Sequence, residues 1–225
     1  MKVIENKKQI ITICNEIKKD KKKIFFIPTM GNLHQGHLSL IEYAKEIALD
    51  NNIKDYIIIT SIFINPIQFG KDEDFHSYPR TIDQDISMMH HQNIVDYVYM
   101  PKVLDIYSQK YDGALIFDIP SLTKNKLCVK TRPHFFNGVM QVLHRFFCQI
   151  NPDFVIMGEK DYQQYLIIKT FCKNIFENIS VKMCKTKRDP NGLALSSRNS
   201  YMTSQTREDA SYIYKSLDFA NTLCN

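Results

Sequence analysis

Two histidines three residues apart, His34 and His37, stand beside Gly31 and Gly36 directly after the apolar run Ile24-Phe25-Phe26-Ile27. A continuous apolar run followed by Pro28-Thr29 reads as a buried strand. Leu38, Ile41 and Ala44 then recur at helical spacing, which places a helix start between Asn32 and Gln35. A strand-turn-helix of this kind gathers free backbone N–H groups and the positive end of a helix dipole at one point, where a phosphate is favoured. Gly31 and Gly36 let a ligand approach the main chain. Histidines on one helical turn can face the same anion, each donating a hydrogen bond. Two other readings stay open: one ring caps the helix while the other packs, or the pair ligates a metal. The metal reading lacks partners, since no Cys, Asp or Glu lies within the turn.

Three further stretches carry polar groups that suit the same ligand. Asn65 and Gln68 follow the strand-like run Tyr56 to Ile64, in a loop at a strand's carboxyl end, where open α/β sheets bind ligands. Their amides donate and accept, which fits hydroxyl and carboxylate groups; alone they could equally cap the loop. Asp83 and Asp85 follow in a helix expected near Thr81, and they read either as magnesium ligands through water or as dipole compensation. Gly158-Glu159-Lys160-Asp161 leaves a strand at Phe154 to Met157 and opens a second strand-turn-helix, with Gln163 and Gln164 in its first turn. Lys160 supplies a point charge, and Asp161 suits a cap or a cation. The turn at Pro190-Asn191-Gly192 leads to Ser196, Ser197 and Arg198, a concentrated set of phosphate donors. Five of the seven glycines (31, 36, 70, 158 and 192) fall in these four loops. That placement favours one shared site.

The elements that must position these groups are those of an ordinary globular chain. It has 225 residues, 44% hydrophobic and 24% charged, enough for one large domain or a large and a small one. Helices are expected over residues 6–20, 138–150 and 203–224, the last with Ala210, Ile213, Leu217 and Ala220 on one face, and a further short strand over 95–100. Residues 107–120 mix turn and strand signals. No apolar run is long enough to cross a membrane, and the amino-terminal MKVIENKKQI lacks a signal-peptide core, so a cytoplasmic protein is expected. The six cysteines have no CxxC spacing and read as reduced thiols, mostly in the core. The net charge of +5 owes much to Lys18–Lys23, a solvated helix end or a nucleic-acid or membrane patch.

In this order and spacing, PTMGNLHQGHLSL, SIFINPIQFG with DEDFHSYPRT, PDFVIMGEKDYQQ and GLALSSRN closely resemble the pantothenate synthetase (pantoate–beta-alanine ligase) family, over residues 20–204. The resemblance implies a nucleotidyltransferase-like α/β fold: a Rossmann-like parallel sheet with helices on both faces over residues 1–186, and a small C-terminal lid domain over 187–225. It implies a homodimer that joins (R)-pantoate to beta-alanine through a pantoyl adenylate, consuming ATP with Mg2+ and binding neither nucleic acid nor membrane. ATP would lie on Met30, Gly31, Asn32, Leu33, His34, Gln35, Gly36 and His37, with His37 as proton donor. It would also contact Gly158, Glu159, Lys160 and Asp161, then Lys187 near the adenine, and Leu195, Ser196, Ser197 and Arg198. Gln68, Asn65 and Gln164 would hold pantoate, while His37, His34 and Lys160 form the catalytic set. The family's R-P-x-H-F-x-G-V pattern departs here to Arg132-Pro133-His134-Phe135-Phe136-Asn137-Gly138-Val139, with Phe135 in the histidine's place. A related HxGH nucleotidyltransferase and a non-catalytic nucleotide-binding homologue are the alternatives; the uncharged Asn65/Gln68 pair argues against a phosphate-bearing acceptor.

Overall fold

The computed structural model describes residues 1–107, 116–118 and 126–224. Most of the 107–120 stretch, expected to mix turn and strand, lies outside the described residues. The chain opens with a short strand, β1 (Lys2–Ile4), and the amphipathic helix α1 (Lys7–Lys19), whose first N–H groups are capped by the Asn6 side chain. Strand β2 (Lys23–Thr29) leads into helix α2 (Gln35–Asp50), then β3 (Tyr56–Ile62), α3 (Ile82–Gln92) and β4 (Tyr97–Tyr99). Two short helices, α4 (Val103–Ile106) and α5 (Cys128–Thr131), precede the long α6 (Pro133–Ile150). Strand β5 (Phe154–Gly158), helix α7 (Tyr162–Ile175), strand β6 (Ser180–Cys184) and helix α8 (Ser204–Leu223) complete the chain.

The strands form one parallel sheet in the order β1-β4-β3-β2-β5-β6. Ile24, Phe25, Phe26 and Ile27 are fully buried because helices cover both faces of β2. Ile24 and Phe26 join Ile10, Phe146, Phe147 and Ile167 on the side of α1, α6 and α7. Phe25 and Ile27 join Leu38, Ile41 and Met89 on the side of α2 and α3. An unbroken apolar run thus serves two cores by simple alternation. Burying a phenylalanine such as Phe146 contributes about 1.5–3 kcal/mol, so α6 is pinned under the sheet by several such contacts.

The chain runs from β2 toward β3 and β4 on one side, while β5 and β6 lie on the other. The point where this direction reverses, between β2 and β5, opens a crevice at the strands' carboxyl ends. Strands β1 and β6 are additions to the sequence reading; both are short edge strands with lysines, which carry little periodic signal. Helix α6 starts at Pro133, five residues before the expected 138, because proline suits a first helical turn. On α8 the expected apolar face is not covered: Ile213 and Leu217 are 65% and 61% exposed.

The lysine run spans the end of α1 and the turn into β2, with Lys18 and Lys23 both paired to Asp153. Cys14, Cys172 and Cys184 are buried thiols, whereas Cys128, Cys148 and Cys224 are exposed, so only half of the cysteines serve the core. Among the described residues no helix is long and apolar enough to cross a membrane.

Candidate active site

Gly31 and Asn32 both adopt left-handed backbone, φ 80° and 49°, which turns the chain sharply as β2 ends. This turn is held from below by Asp85. Its carboxylate accepts hydrogen bonds from the Asn32 and Leu33 N–H groups at 2.9 and 2.8 Å and from the Thr81 hydroxyl at 3.0 Å. Asp85 is 1% exposed, and a side chain at Gly31 would start 3.0 Å from its Oδ2. The magnesium reading of Asp85 therefore gives way to a structural one, and Asp83 stands exposed on the outer face of α3. Among the described residues no three His, Cys, Asp or Glu side chains are grouped to hold a metal. Leu33 is core, and Gln35 faces solvent.

His34 caps α2: its Nδ1 accepts from the Gly36 N–H at 3.0 Å, while Nδ1 of His37 accepts from the His34 N–H at 3.3 Å. With both Nδ1 atoms accepting, the ring proton of each sits on Nε2. Burial, reinforced by the Lys160 charge, lowers the His34 pKa from 6.5 to about 4. Burial, then the His34 ring and Lys160, lowers that of His37 to about 3. Both imidazoles are neutral at pH 7. His37 thus presents Nε2–H as a hydrogen-bond donor toward the cavity. Capping uses Nδ1 of His34 and leaves its Nε2 uncommitted to the cap.

The two lowered values make stability depend on pH. The folded protein refuses protons that the unfolded histidines accept below pH 6.5, so this contribution is complete above that pH and is lost as pH falls toward 4 and then 3. The melting temperature should fall between pH 7 and pH 5, before ordinary carboxylates protonate. Substituting His37→Asn should flatten that slope; an unchanged slope would assign it to other groups.

Two cavities, of about 250 and 200 Å3, meet at this turn. Both are lined by Met30, His37, Lys160, Asp161, Gln164 and Arg198. The second adds His34, Gly36, Gly158, Lys187, Leu195, Ser196 and Ser197. The first adds Asn65, Gln68 and an apolar wall from α6 that includes Val139, Leu143 and Phe146. The turn and the last loop are stitched together, since the Asn32 side chain donates to the Ser197 carbonyl and the Ser197 hydroxyl donates to the Asn32 carbonyl, each at 3.0 Å. Glu159 accepts from the N–H and hydroxyl of Thr186 at 3.0 and 3.2 Å, holding the strip that bears Lys187. Gln163 turns away, bonding Cys128 N–H and the Lys126 carbonyl, and leaves Gln164 to the cavity.

Asn65 is buried with its amide fully engaged. It donates to Gln68 Oε1 and to the Gly138 carbonyl, both at 3.0 Å, and accepts from the Tyr107 hydroxyl at 2.7 Å. Its work here is to aim Gln68. Sequence reasoning missed Tyr78, Arg132, Phe135 and the α6 wall, all of which line the first cavity. Only Arg132 and Phe135 carried a signal, through the altered motif around them.

A family model described as pantoate-beta-alanine ligase matches residues 2–224. The chain belongs to this family. It is 41% identical over 211 residues to the pantothenate synthetase of Ruthia magnifica, covering 94% of this chain and 72% of that protein. It is 37% identical over 221 residues to that of Methylococcus capsulatus, with 98% and 74% covered. Among solved structures, the Francisella tularensis pantoate-beta-alanine ligase complexed with beta-gamma ATP and beta-alanine superposes with a TM-score of 0.85 at 38% identity, over 96% of this chain and 78% of that one. The Thermus thermophilus pantothenate synthetase gives 0.84 at 31%, over 96% and 72%. This family relation and the six-stranded parallel sheet agree with the fold and enzyme class expected from the motifs.

Proposed function

We propose that this chain joins pantoate to beta-alanine in two steps at the crevice between β2 and β5, with ATP in the second cavity and pantoate in the first. The observation that carries this reading is the meeting of the two cavities at His37, Lys160 and Arg198. A carboxylate from one side and an α-phosphorus from the other come together only there. Attack of the carboxylate oxygen on phosphorus forms the pantoyl adenylate and breaks the bond to pyrophosphate. The beta-alanine nitrogen then attacks the acyl carbon, the bond to AMP breaks, and the nitrogen loses a proton as the amide forms. Neither step needs a covalent bond to the enzyme. The donors act on charge that grows on phosphoryl oxygens: the Nε2–H groups of His34 and His37, the Lys160 ammonium, the Arg198 guanidinium and the Ser196 hydroxyl.

Gln68, aimed by Asn65, and Gln164 are suited to the hydroxyl and carboxylate groups of pantoate. Magnesium bound to nucleotide phosphates needs only one or two carboxylates from the protein, and Asp161, exposed at the junction, fits that role. It would supply charge neutralisation on the phosphates. The 187–225 segment serves as a lid on the nucleotide side, and the assembly is a homodimer whose mass sedimentation would read directly.

The test is pyrophosphate release with ATP, magnesium and pantoate, followed by addition of beta-alanine. Release that depends on pantoate, product pantothenate, and transfer of 18O from the pantoate carboxylate to AMP are expected. Pantothenate formed without 18O in AMP would overturn the adenylate, and no pantoate-dependent release would overturn the ligase reading.

A further inference from the structure

We infer that Tyr107 is a positioning residue for the first cavity: through Asn65 it fixes which end of the Gln68 amide faces pantoate, so that Gln68 offers an N–H and not an oxygen. This deepens the ligase reading and rests on it. An amide side chain that turns over exchanges its donor for its acceptor with almost no change in shape, so Gln68 by itself does not say which kind of atom it selects. The choice is made by what its two ends touch.

The relay starts at a phenol that is 2% exposed, at the end of α4. Its ring is pinned by Arg145, whose guanidinium carbon lies 4.7 Å from the ring centre. The Tyr107 hydroxyl donates to Asn65 Oδ1 at 2.7 Å and supplies the proton which that oxygen needs in a buried place. Asn65 Nδ2 then points the other way, and its two protons go to the Gly138 carbonyl and to Gln68 Oε1, each at 3.0 Å. A backbone carbonyl only accepts, so Gly138 selects the same orientation of Asn65 from the opposite side. With its oxygen taken, Gln68 turns Nε2 toward the cavity, where one N–H meets Met30 Sδ at 3.1 Å. Among the described residues the other N–H has no protein partner, and Gln68 and Met30 line the first cavity together. The pantoate atom that meets Gln68 is therefore an acceptor. Tyr107 lines neither cavity, so its effect on pantoate has to travel through Asn65.

Tyr107→Phe tests this, because it keeps the ring and removes only the hydroxyl. Its control is Tyr99→Phe, which loses an equally short phenol bond, 2.7 Å to Gln149 Oε1, in a buried place outside both cavities. Both variants should lose melting temperature, and only one should lose pantoate. In pantoate-dependent exchange of pyrophosphate into ATP, Tyr107→Phe should raise the pantoate KM about tenfold, the scale of one hydrogen bond, and leave the ATP KM within about twofold. Tyr99→Phe should leave both as in wild type. The side-chain 15N amide signal of Gln68, identified by its loss in Gln68→Glu, should move when pantoate is added to wild type and move less in Tyr107→Phe. Suppose wild type is active: if Tyr107→Phe raises the pantoate KM no more than Tyr99→Phe does, or raises the ATP KM equally, or if the Gln68 signal ignores pantoate, the inference fails and the ligase reading stands. If wild type shows neither exchange nor synthesis, the ligase reading fails and takes the inference with it.

Discussion

Replacing Lys160 by methionine lowers pantoate-dependent pyrophosphate release by on the order of 10²- to 10³-fold, with little change in melting temperature. The size follows from which groups at the junction carry charge. His34 and His37 are neutral at pH 7, so they donate hydrogen bonds but offset no net charge. Arg198 is held in a bidentate pair by Asp74, with both contacts at 2.8 Å. Asp74 itself sits well below the usual carboxylate range because of that hydrogen-bonded arginine, so the pair is nearly neutral as seen from the cavity. Among the described residues Lys160 pairs only with Asp161, 3.1 Å away, through side chains 39% and 58% exposed, and solvent-screened pairs of this kind are weak. The ammonium can therefore leave Asp161 for the phosphate as the transition state gains charge.

Methionine keeps the stem and its packing, which is why stability should hold. The effect should appear in kcat more than in KM, since the charge it opposes grows after binding. Because Lys160 is also one cause of the low histidine pKa values, the ring titrations seen by NMR should move upward in the same variant. A kcat loss below about tenfold would mean that the charge at the transition state is met elsewhere, Arg198 being the next group to test.

What could be read without coordinates follows from how local each cause is. Strand β2 and helix α2 declare themselves because burial on both faces demands an unbroken apolar run and the helix repeats its own period. The histidine turn is legible for the same reason: its glycines, rings and backbone donors lie within eight consecutive residues. Asp85 shows the opposite case. An acid in a first helical turn looks alike whether it serves a dipole, a metal or a distant backbone, and only the fold reveals that it holds Asn32 and Leu33. Glu73 and Asp74 are likewise neighbours in a loop full of charge, and nothing local says that their arginines lie 59 and 124 residues away. The role of Asn65 changes for a related reason. An amide at a strand's end can bind substrate or aim its neighbour, and the choice is made by Tyr107 and Gly138, which the chain brings in from afar.

Gly138→Ala is the other substitution expected to have a large effect, and it was hidden because this glycine sits inside a helix rather than a loop. In an isolated helix the change would help, by up to about 1 kcal/mol of propensity. Here a Cβ would lie 2.7 Å from Gln68 Cα, 2.8 Å from the Ile67 carbonyl oxygen and 2.9 Å from Gln68 N. All three are backbone atoms, so no rotamer relieves the overlap. Helix α6 cannot retreat, since Met140, Phe146 and Phe147 on the same helix are buried in the core. The Pro66–Gln68 turn must move instead, and overpacking of this sort costs about 1–3 kcal/mol, which outweighs the propensity gain. Moving the turn also breaks the Asn65 bond to the Gly138 carbonyl and swings the Gln68 amide away from the first cavity. A displacement near 1 Å costs on the order of 100-fold when it misplaces a positioning group, so kcat/KM for pantoate should fall by about that factor. The ATP affinity should change far less, because the second cavity does not include the turn. Gly70→Ala is the matched control: its Cβ would crowd the exposed His134 ring at 3.2 Å, which can rotate aside, and would touch Glu73 Cδ at an ordinary 3.6 Å. Equal losses in the two variants, or a Gly138→Ala enzyme with unchanged kcat/KM for pantoate, would show that the contact between α6 and the Gln68 turn does not set the pantoate site.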